Sequence, residues 1–421
     1  VLIAQAPAPA AQTHRLPDRE PHYFRLNPAT QDTTYRLLVI PVRFPEDRIL
    51  GGGERAGLEA KLNGATASLR AYYRAATGGR LRVEAELAPT VVAGRERWWY
   101  TCEAGPPIRT DPCAPQFACS RGILPSAYPH NSRRLVEEVT ARLADAVDFR
   151  RYDNTGDGIA DAVLLLHSGP AAPENGTDVP CDALIAHSFE LEAPVTRGGA
   201  QVFPYAVAAT TDGFGVWAHE TGHLLGFADL YDSNPLCRGP GLGEWALMAT
   251  GGNRDEGTDP SGLAAFTRQR LGFAAVPPAA TPLQLDETQF LRVYRTGEEN
   301  GPRYFLVERR TGANGLGLPS PAWLVTLVDE TEGANTGCSR FLADLRAVVC
   351  ANDTTCTTTL DDHSTPSLRD ASGRTVLRLA MPYPQTRTGP SPRASGRPRR
   401  STRRPPRRGR QRGMGGQGRA P

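Results

Sequence analysis

Eleven residues near the middle of the chain restrict its fold more than any other stretch. Residues 219–229 read His219-Glu220-Thr221-Gly222-His223-Leu224-Leu225-Gly226-Phe227-Ala228-Asp229. Two histidines four apart share a face only if the segment is helical, because residues i and i+4 are neighbours on a helix surface. Gly226 then falls where a helix ends on a left-handed residue, a conformation glycine adopts without steric cost. Such a stop swings the chain back and carries Asp229 towards the histidines. The chain is therefore committed here to a helix, an abrupt turn and a returning loop. Two imidazoles on one helix face can hold one divalent ion, and zinc is the ion this pattern suits. Asp229 is the expected third ligand, with Asp232 and Glu244 as the competing carboxylates. Three protein ligands leave a fourth position open, as catalytic zinc sites do. Glu220, beside the first histidine, is placed to take a proton from a water on that ion and later return it. The bland alternative is an amphipathic helix with a buried histidine.

Around this motif, apolar periodicity sketches an α/β chain without internal repeats. Residues 35–42, Tyr35-Arg36-Leu37-Leu38-Val39-Ile40-Pro41-Val42, form a short apolar run, the pattern of a mostly buried strand. Residues 54–76 space Leu58, Leu62, Leu69, Tyr72 and Tyr73 at near-helical intervals, with Gly79 as the stop. Leu81, Val83, Ala85 and Leu87 alternate as in a strand. Residues 132–147 carry the stripe Leu135, Val139, Leu143 and Val147 of an amphipathic helix. Residues 162–166 predict another buried strand, and strand-like runs recur at 304–307, 322–328 and 376–379. A loop region with short strands is expected to lead into residue 214.

Residues 152–161 read Tyr152-Asp153-Asn154-Thr155-Gly156-Asp157-Gly158-Ile159-Ala160-Asp161. Asp153, Thr155, Asp157 and the carbonyl of Ile159 fit the first positions of a calcium loop, with Gly158 at the tight turn and Asp161 as a further candidate ligand. Position 12 is Leu164 rather than a bidentate glutamate, and a strand follows, so an EF-hand does not fit. A smaller calcium site and an Asx-rich turn held by its own hydrogen bonds both remain. Elsewhere, Tyr231 is a candidate oxyanion donor or a ring packed beneath the site, and His187 and Glu190 read as structural. Ser168-Gly169 lacks the GxSxG of a serine-hydrolase elbow.

Composition excludes several classes. The 421 residues contain no run near the roughly 18 apolar residues of a membrane-spanning helix. The formal charge of +3 hides a division: residues 385–421 carry 12 arginines and no acidic residue, and the other 384 residues carry 36 basic against 45 acidic side chains, a net −9. The Arg/Pro/Gly-rich tail has no apolar pattern and is expected to be disordered. It reads as a solvated appendage, with nucleic acid or an anionic surface as its alternative partner. Eight cysteines without a CxxC pair argue against zinc ribbons and thioredoxin-type chemistry, and suit disulfides in an exported protein. The stretch Val1-Leu2-Ile3-Ala4, followed by Ala- and Pro-rich residues, reads as the end of a signal peptide. Residues 1–34 are expected to be leader remnant and linker.

With these residues in view, the segment His219 to Asp232 resembles the immune inhibitor A-type metallopeptidases, a metzincin-like family with aspartate in place of the third histidine. Residues 37–44, Ser68 to Tyr73, Gly79 to Leu81, the Asp153 loop and Phe305-Leu306-Val307-Glu308-Arg309-Arg310 resemble further family segments in the same order, so the likeness spans roughly 35–380. Leu327 departs from it, standing where a histidine is expected. The resemblance implies an α/β, metzincin-like, two-lobed zinc peptidase domain over 35–384, with a twisted mixed sheet, an active-site helix and a Met-turn at Met248. The upper lobe would run to about residue 226 and the lower lobe follow it. The implied activity is that of a secreted, extracellular zinc endopeptidase acting on protein or peptide substrates, with His219, His223 and Asp229 on Zn2+, Glu220 as general base, and Ca2+ as a second candidate ion. A catalytically weak, surface-binding protein on the same fold is the alternative. The intact Glu220 argues against it, because a binding module needs no base there.

Overall fold

The computed structural model describes residues 24–26, 32–47, 52–101, 128–170, 183–231, 241–276, 285–293, 300–318, 321–332, 335, 342–350, 367–369 and 375–378. The chain divides into two units, Val1–Ala380 and Met381–Pro421, and all of these residues belong to the first. The signal-peptide reading, the Arg-rich tail and seven of the eight cysteines lie outside the described residues; Cys350 is described in its backbone alone.

The apolar run at 35–42 becomes β1, Thr33–Arg43, at the middle of a parallel sheet. Tyr35 and residues 37–42 are buried, which is why this strand reads as continuous rather than alternating. Two helices follow, α1 (Gly52–Asn63) and α2 (Leu69–Ala76), where the periodicity at 54–76 had suggested one helical stretch. The break has a local cause: Ser68 caps α2, its Oγ accepting from the amide of Ala71 at 3.1 Å. The chain returns as β2, Leu81–Leu87, parallel to β1 with Thr33 opposite Leu81. Leu81, Val83 and Ala85 face inward, while the charged Arg82, Glu84 and Glu86 alternate with them on this edge strand. The short β3, Val91–Val92, continues along the same side of β1.

After α3 (Ser132–Leu143) and the short β4 (Ile159–Ala160), the fully buried β5 (Val163–His167) pairs parallel with the other side of β1. The amphipathic stripe expected over 132–147 keeps Leu135, Val139 and Leu143 in the core, but the helix stops at Leu143. Next comes a long hairpin, β6 (His187–Arg197) and β7 (Ala200–Ala209), where only short strands had been expected. Gly198 and Gly199 form its turn with φ of 47° and 88°, the paired positive values of a type I′ hairpin. The alternation is blurred because β7 contains Pro204 and β6 shifts register between Glu190 and Val195. β7 joins the sheet parallel to β5, and β6 is its antiparallel edge.

The helix that carries the motif, α4 (Phe214–Leu224), leaves β7 through a four-residue turn. Trp217, fully buried, donates from Nε1 to the carbonyl of Ala209 at 3.0 Å and fixes the departure. Tyr73 and Tyr35 donate to the carbonyls of Ala218 and Leu224 at 2.7 and 3.1 Å, tying α4 to α2 and β1. On another face the segment 246–257 comes close enough that side chains are excluded. A Cβ on Gly215 would lie 2.3 Å from the Gly252 carbonyl oxygen, and one on Gly222 2.5 Å from Met248 Sδ. Beyond α5 (Ala265–Arg270), strands β8 (Phe290–Val293), β9 (Arg303–Arg310), β10 (Ala322–Asp329) and β11 (Ala343–Cys350) form an antiparallel sheet in sequential order. Strands β12 (Ser367–Arg369) and β13 (Thr375–Arg378) pair with each other. The class is thus mixed α/β with a largely parallel sheet and few helices. Among the described residues no helix is long and apolar enough to cross a membrane.

Candidate metal centre

α4 ends as its glycine dictates. Gly226 has φ of 89°, its amide bonds the His223 carbonyl at 2.8 Å, and the Phe227 amide bonds the Gly222 carbonyl at 2.9 Å. These two bonds are a Schellman cap. The returning segment is then pinned by the Leu230 amide on the Met248 carbonyl (2.6 Å) and the Leu242 amide on the Leu230 carbonyl (2.9 Å).

The result brings three side chains to one point. Asp229 Oδ1 lies 3.1 Å from His219 Nε2 and 3.2 Å from His223 Nε2, and the two Nε2 atoms are 3.2 Å apart. Among the described residues these three form the one group of His, Cys, Asp or Glu ligands able to hold a metal ion. The ring orientations decide what that point can accept. His219 Nδ1 lies 2.8 Å from the carbonyl of Leu247, and His223 Nδ1 lies 2.8 Å from the carbonyl of Phe227. A carbonyl only accepts, so each Nδ1 carries the hydrogen and each neutral ring turns its Nε2 lone pair inward. Two lone pairs and a carboxylate oxygen at such separations repel unless a positive charge joins them.

The titration of the groups reflects the same demand. Burial alone would push the His223 imidazolium down, but the Asp229 carboxylate outweighs it and the net movement is upward. Burial alone would push the Asp229 carboxyl up; the two imidazoles reverse this and hold it well below the usual carboxylate range. Glu220 is buried at 2% exposure on α4, next to His219. The Tyr231 ring stacks along that of His219, with centroids 6.3 Å apart and planes 22° from parallel. Met248, 1% exposed, sits under Gly222 between the motif and the returning loop. Glu244, a competing carboxylate, pairs instead with Arg254 at 3.3 Å, and Asp232 lies outside the described residues.

The loop at 153–161 has a different construction. Asp153 accepts the amides of Gly156, Asp157 and Gly158 at 2.6, 3.2 and 2.8 Å. Asp157 accepts the Ile159 amide at 2.9 Å. Asp161 Oδ2 accepts the amides of Asn154 and Thr155 and the Thr155 hydroxyl, at 3.0, 3.2 and 3.1 Å. The structure does not gather the three carboxylates as it gathers the histidine site: they do not all come within 4.8 Å of one another. Burial, with the charges of Asp157 and Asp153, raises the Asp161 carboxyl to about 7.

His187 and Glu190 lie elsewhere. His187 bonds the Ile185 carbonyl at 2.7 Å and the Ser132 hydroxyl at 2.8 Å, fastening α3 to the β6–β7 hairpin. The Glu190 carbonyl accepts from Arg133 Nε at 2.7 Å in the same junction. What the sequence could not reveal is the pair of backbone carbonyls, at Leu247 and Phe227, that orient the histidines. Backbone acceptors leave no trace in residue type.

Residues 53–273 match the family described as immune inhibitor A peptidase M6, catalytic domain. The pre-pro-metalloprotease PrtV of Vibrio cholerae is 25% identical over 225 residues, covering 48% of this chain and 23% of that protein. Immune inhibitor A of Bacillus thuringiensis subsp. alesti is 25% identical over 173 residues, covering 34% of this chain and 25% of that protein. The matched segments thus span about a quarter of the length of these relatives. Among solved structures, wild-type OgpA from Akkermansia muciniphila aligns over 70% of this chain and 74% of its own at 13% identity. The TM-score is 0.29, too loose a likeness to bear on fold or function.

Proposed function

The chain belongs to the immune inhibitor A peptidase M6 family, a family of metallopeptidases, and from that premise we propose that it is a secreted zinc endopeptidase with Glu220 as general base. The observation that carries the proposal is the convergence of two imidazole Nε2 atoms and Asp229 Oδ1, with both Nδ1 hydrogens committed to backbone carbonyls. This donor set suits zinc. Ligands about 2.0–2.2 Å from a tetrahedral zinc stand roughly 3.3–3.6 Å apart, and the three atoms here are 3.1–3.2 Å apart.

In this reading His219, His223 and Asp229 hold the ion. Zinc when bound supplies Lewis acidity that makes water a nucleophile near neutral pH and polarises the scissile carbonyl. The Leu247 and Phe227 carbonyls fix each imidazole in the tautomer that presents Nε2. Glu220 takes the proton of the attacking water at its carboxylate and passes it to the leaving amine. Asp229 adds negative charge that a third histidine would not. Tyr231, beside His219, supplies a hydroxyl to the developing oxyanion. Met248 forms the Met-turn beneath the histidines. The helix α4 and the parallel sheet form an upper lobe, and the chain from about Gly226 forms a lower lobe. An extended peptide would lie between them. The catalytic domain is the stretch 35–384 together with the start of β1 at Thr33 and the packed Phe24–Leu26 segment, whose Leu26 amide bonds the Leu271 carbonyl at 2.9 Å, with 385–421 as an appendage.

Incubating the purified chain with a mixed peptide library, with and without a chelator, tests the proposal. Internal cleavage that the chelator abolishes and zinc restores is the expected result. Cleavage indifferent to the chelator, or none in a zinc-loaded protein, refutes it.

A further inference from the structure

The Leu247 carbonyl that orients His219 is itself held from a distance. The Leu247 amide donates to the Gly262 carbonyl at 3.2 Å. The next carbonyl, that of Leu263, is gripped by two guanidinium groups: Arg268 Nη1 at 2.5 Å and Arg310 Nη2 at 2.6 Å. Both arginines converge on Glu308. Arg268 Nη2 and Arg310 Nε each stand 2.9 Å from Glu308 Oε2, and Oε1 accepts the Ala265 amide at 3.0 Å. Arg268, Glu308 and Arg310 are 1%, 1% and 5% exposed. Arg310 Nη1 also lies so close over Gly262 that a Cβ there would meet it at 2.5 Å.

A buried triad of this kind needs an explanation other than stability. Desolvating three charges costs about as much as their mutual attraction returns, and apolar replacements of similar volume are often neutral or stabilising. What the charges give, and apolar side chains cannot, is direction: a forked guanidinium fixes where a carbonyl points. Here the carbonyl is one peptide away from the group that sets the Leu247 backbone.

We propose that Glu308, Arg268 and Arg310 are positioning residues for the metal centre, acting through Leu263, Gly262 and Leu247 to hold the imidazole of His219. The triad sits on β9 and α5, outside the motif. This rests on the zinc reading above. It adds that the antiparallel sheet tunes the site's affinity for its ion. Outer partners of a metal-ligating histidine are worth about 10–100-fold in metal affinity.

The test is zinc affinity of the full chain, measured by competition with a chromophoric chelator, alongside melting temperature and kcat and KM. Three variants are compared with wild type: Glu308→Gln, the conservative Arg310→Lys, and the apolar triple Arg268→Met/Glu308→Leu/Arg310→Met. The triple variant is expected to stay folded, with a melting temperature at or above that of wild type, and to bind zinc about 10–100-fold more weakly. Glu308→Gln should fall in the same range and Arg310→Lys should lose less. Activity should fall through kcat, with KM little changed, and recover as zinc is raised. Folded variants with wild-type zinc affinity overturn the inference, as does a fall in melting temperature without any change in affinity. Wild type and His223→Ala serve as controls: if wild type holds no zinc, or His223→Ala holds it as tightly, the zinc reading has failed rather than the role of the triad.

Discussion

The histidine site and the Asp153–Asp161 loop look alike in sequence, and the structure separates them. Both set charged or ligating side chains at spacings that metal ions use. In the loop, each of Asp153, Asp157 and Asp161 accepts hydrogens from the loop's own amides, so the carboxylates close the turn they belong to. At the histidine site the backbone takes the opposite role. Carbonyls, not amides, meet the side chains, and they occupy the donor end of each imidazole so that the acceptor ends face Asp229. Spacing tells which side chains can meet. Which end of each has already been claimed by the backbone tells whether they want an ion.

The largest expected effect follows directly. His223→Ala or Asp229→Ala should leave the purified chain without stoichiometric zinc and without peptide hydrolysis, whereas Asp153→Asn should keep both. Elemental analysis and a peptide assay on the same preparations check this, and equal zinc in all three variants would erase the distinction. Glu220→Gln comes next: zinc content unchanged, hydrolysis slower by about two to four decades. A near-normal rate would assign the base elsewhere.

The loop makes a prediction about stability. The Asp161 carboxyl is raised from 3.8 to about 7, so its protonated form is the one the fold favours. A raised carboxyl contributes fully below pH 4, and that contribution is lost as pH rises through about 7, each tenfold difference in proton affinity between folded and unfolded chain being worth about 1.4 kcal/mol. Asp212, raised to about 6 by burial, acts in the same direction, and His167, lowered to about 4 by burial, in the opposite one. Asp161→Asn should therefore flatten the loss of stability between about pH 4 and 7, read from denaturant midpoints. Millimolar calcium that reproduces this flattening in wild type would identify the loop as an ion site; an unchanged slope leaves it a self-closed turn. The smallest effect is at the cap. Gly226→Ala forces a side chain onto φ of 89° and should cost about 1–2 kcal/mol, with zinc held more weakly because Asp229 returns less accurately. Unchanged stability would mean the cap relaxes freely.

How much of this the sequence disclosed depends on how local each cause was. The helix, its glycine stop and the return of Asp229 lie within eleven residues and were legible. So were β1 and β5, because strands covered on both faces stay apolar throughout. The β6–β7 hairpin was not, since Pro204 and the register change at Glu190 interrupt the alternation that marks a strand. The calcium-like spacing of Asp153, Thr155, Asp157 and Asp161 was visible, but not that the three carboxylates turn to neighbouring amides and the Thr155 hydroxyl to Asp161. Least visible were the Leu247 carbonyl, 28 residues from His219 in the chain, and the Arg268–Glu308–Arg310 triad behind it. Both act through the backbone, and only the folded chain brings them near the motif.

The most direct test of the contrast is a crystal structure of the zinc-loaded chain with anomalous data collected across the zinc edge. A peak is expected about 2.0–2.2 Å from His219 Nε2, His223 Nε2 and an Asp229 oxygen together. A peak with the Asp229 oxygens beyond about 3 Å and another side chain in the third position, or zinc lodged in the 153–161 loop instead, would contradict it.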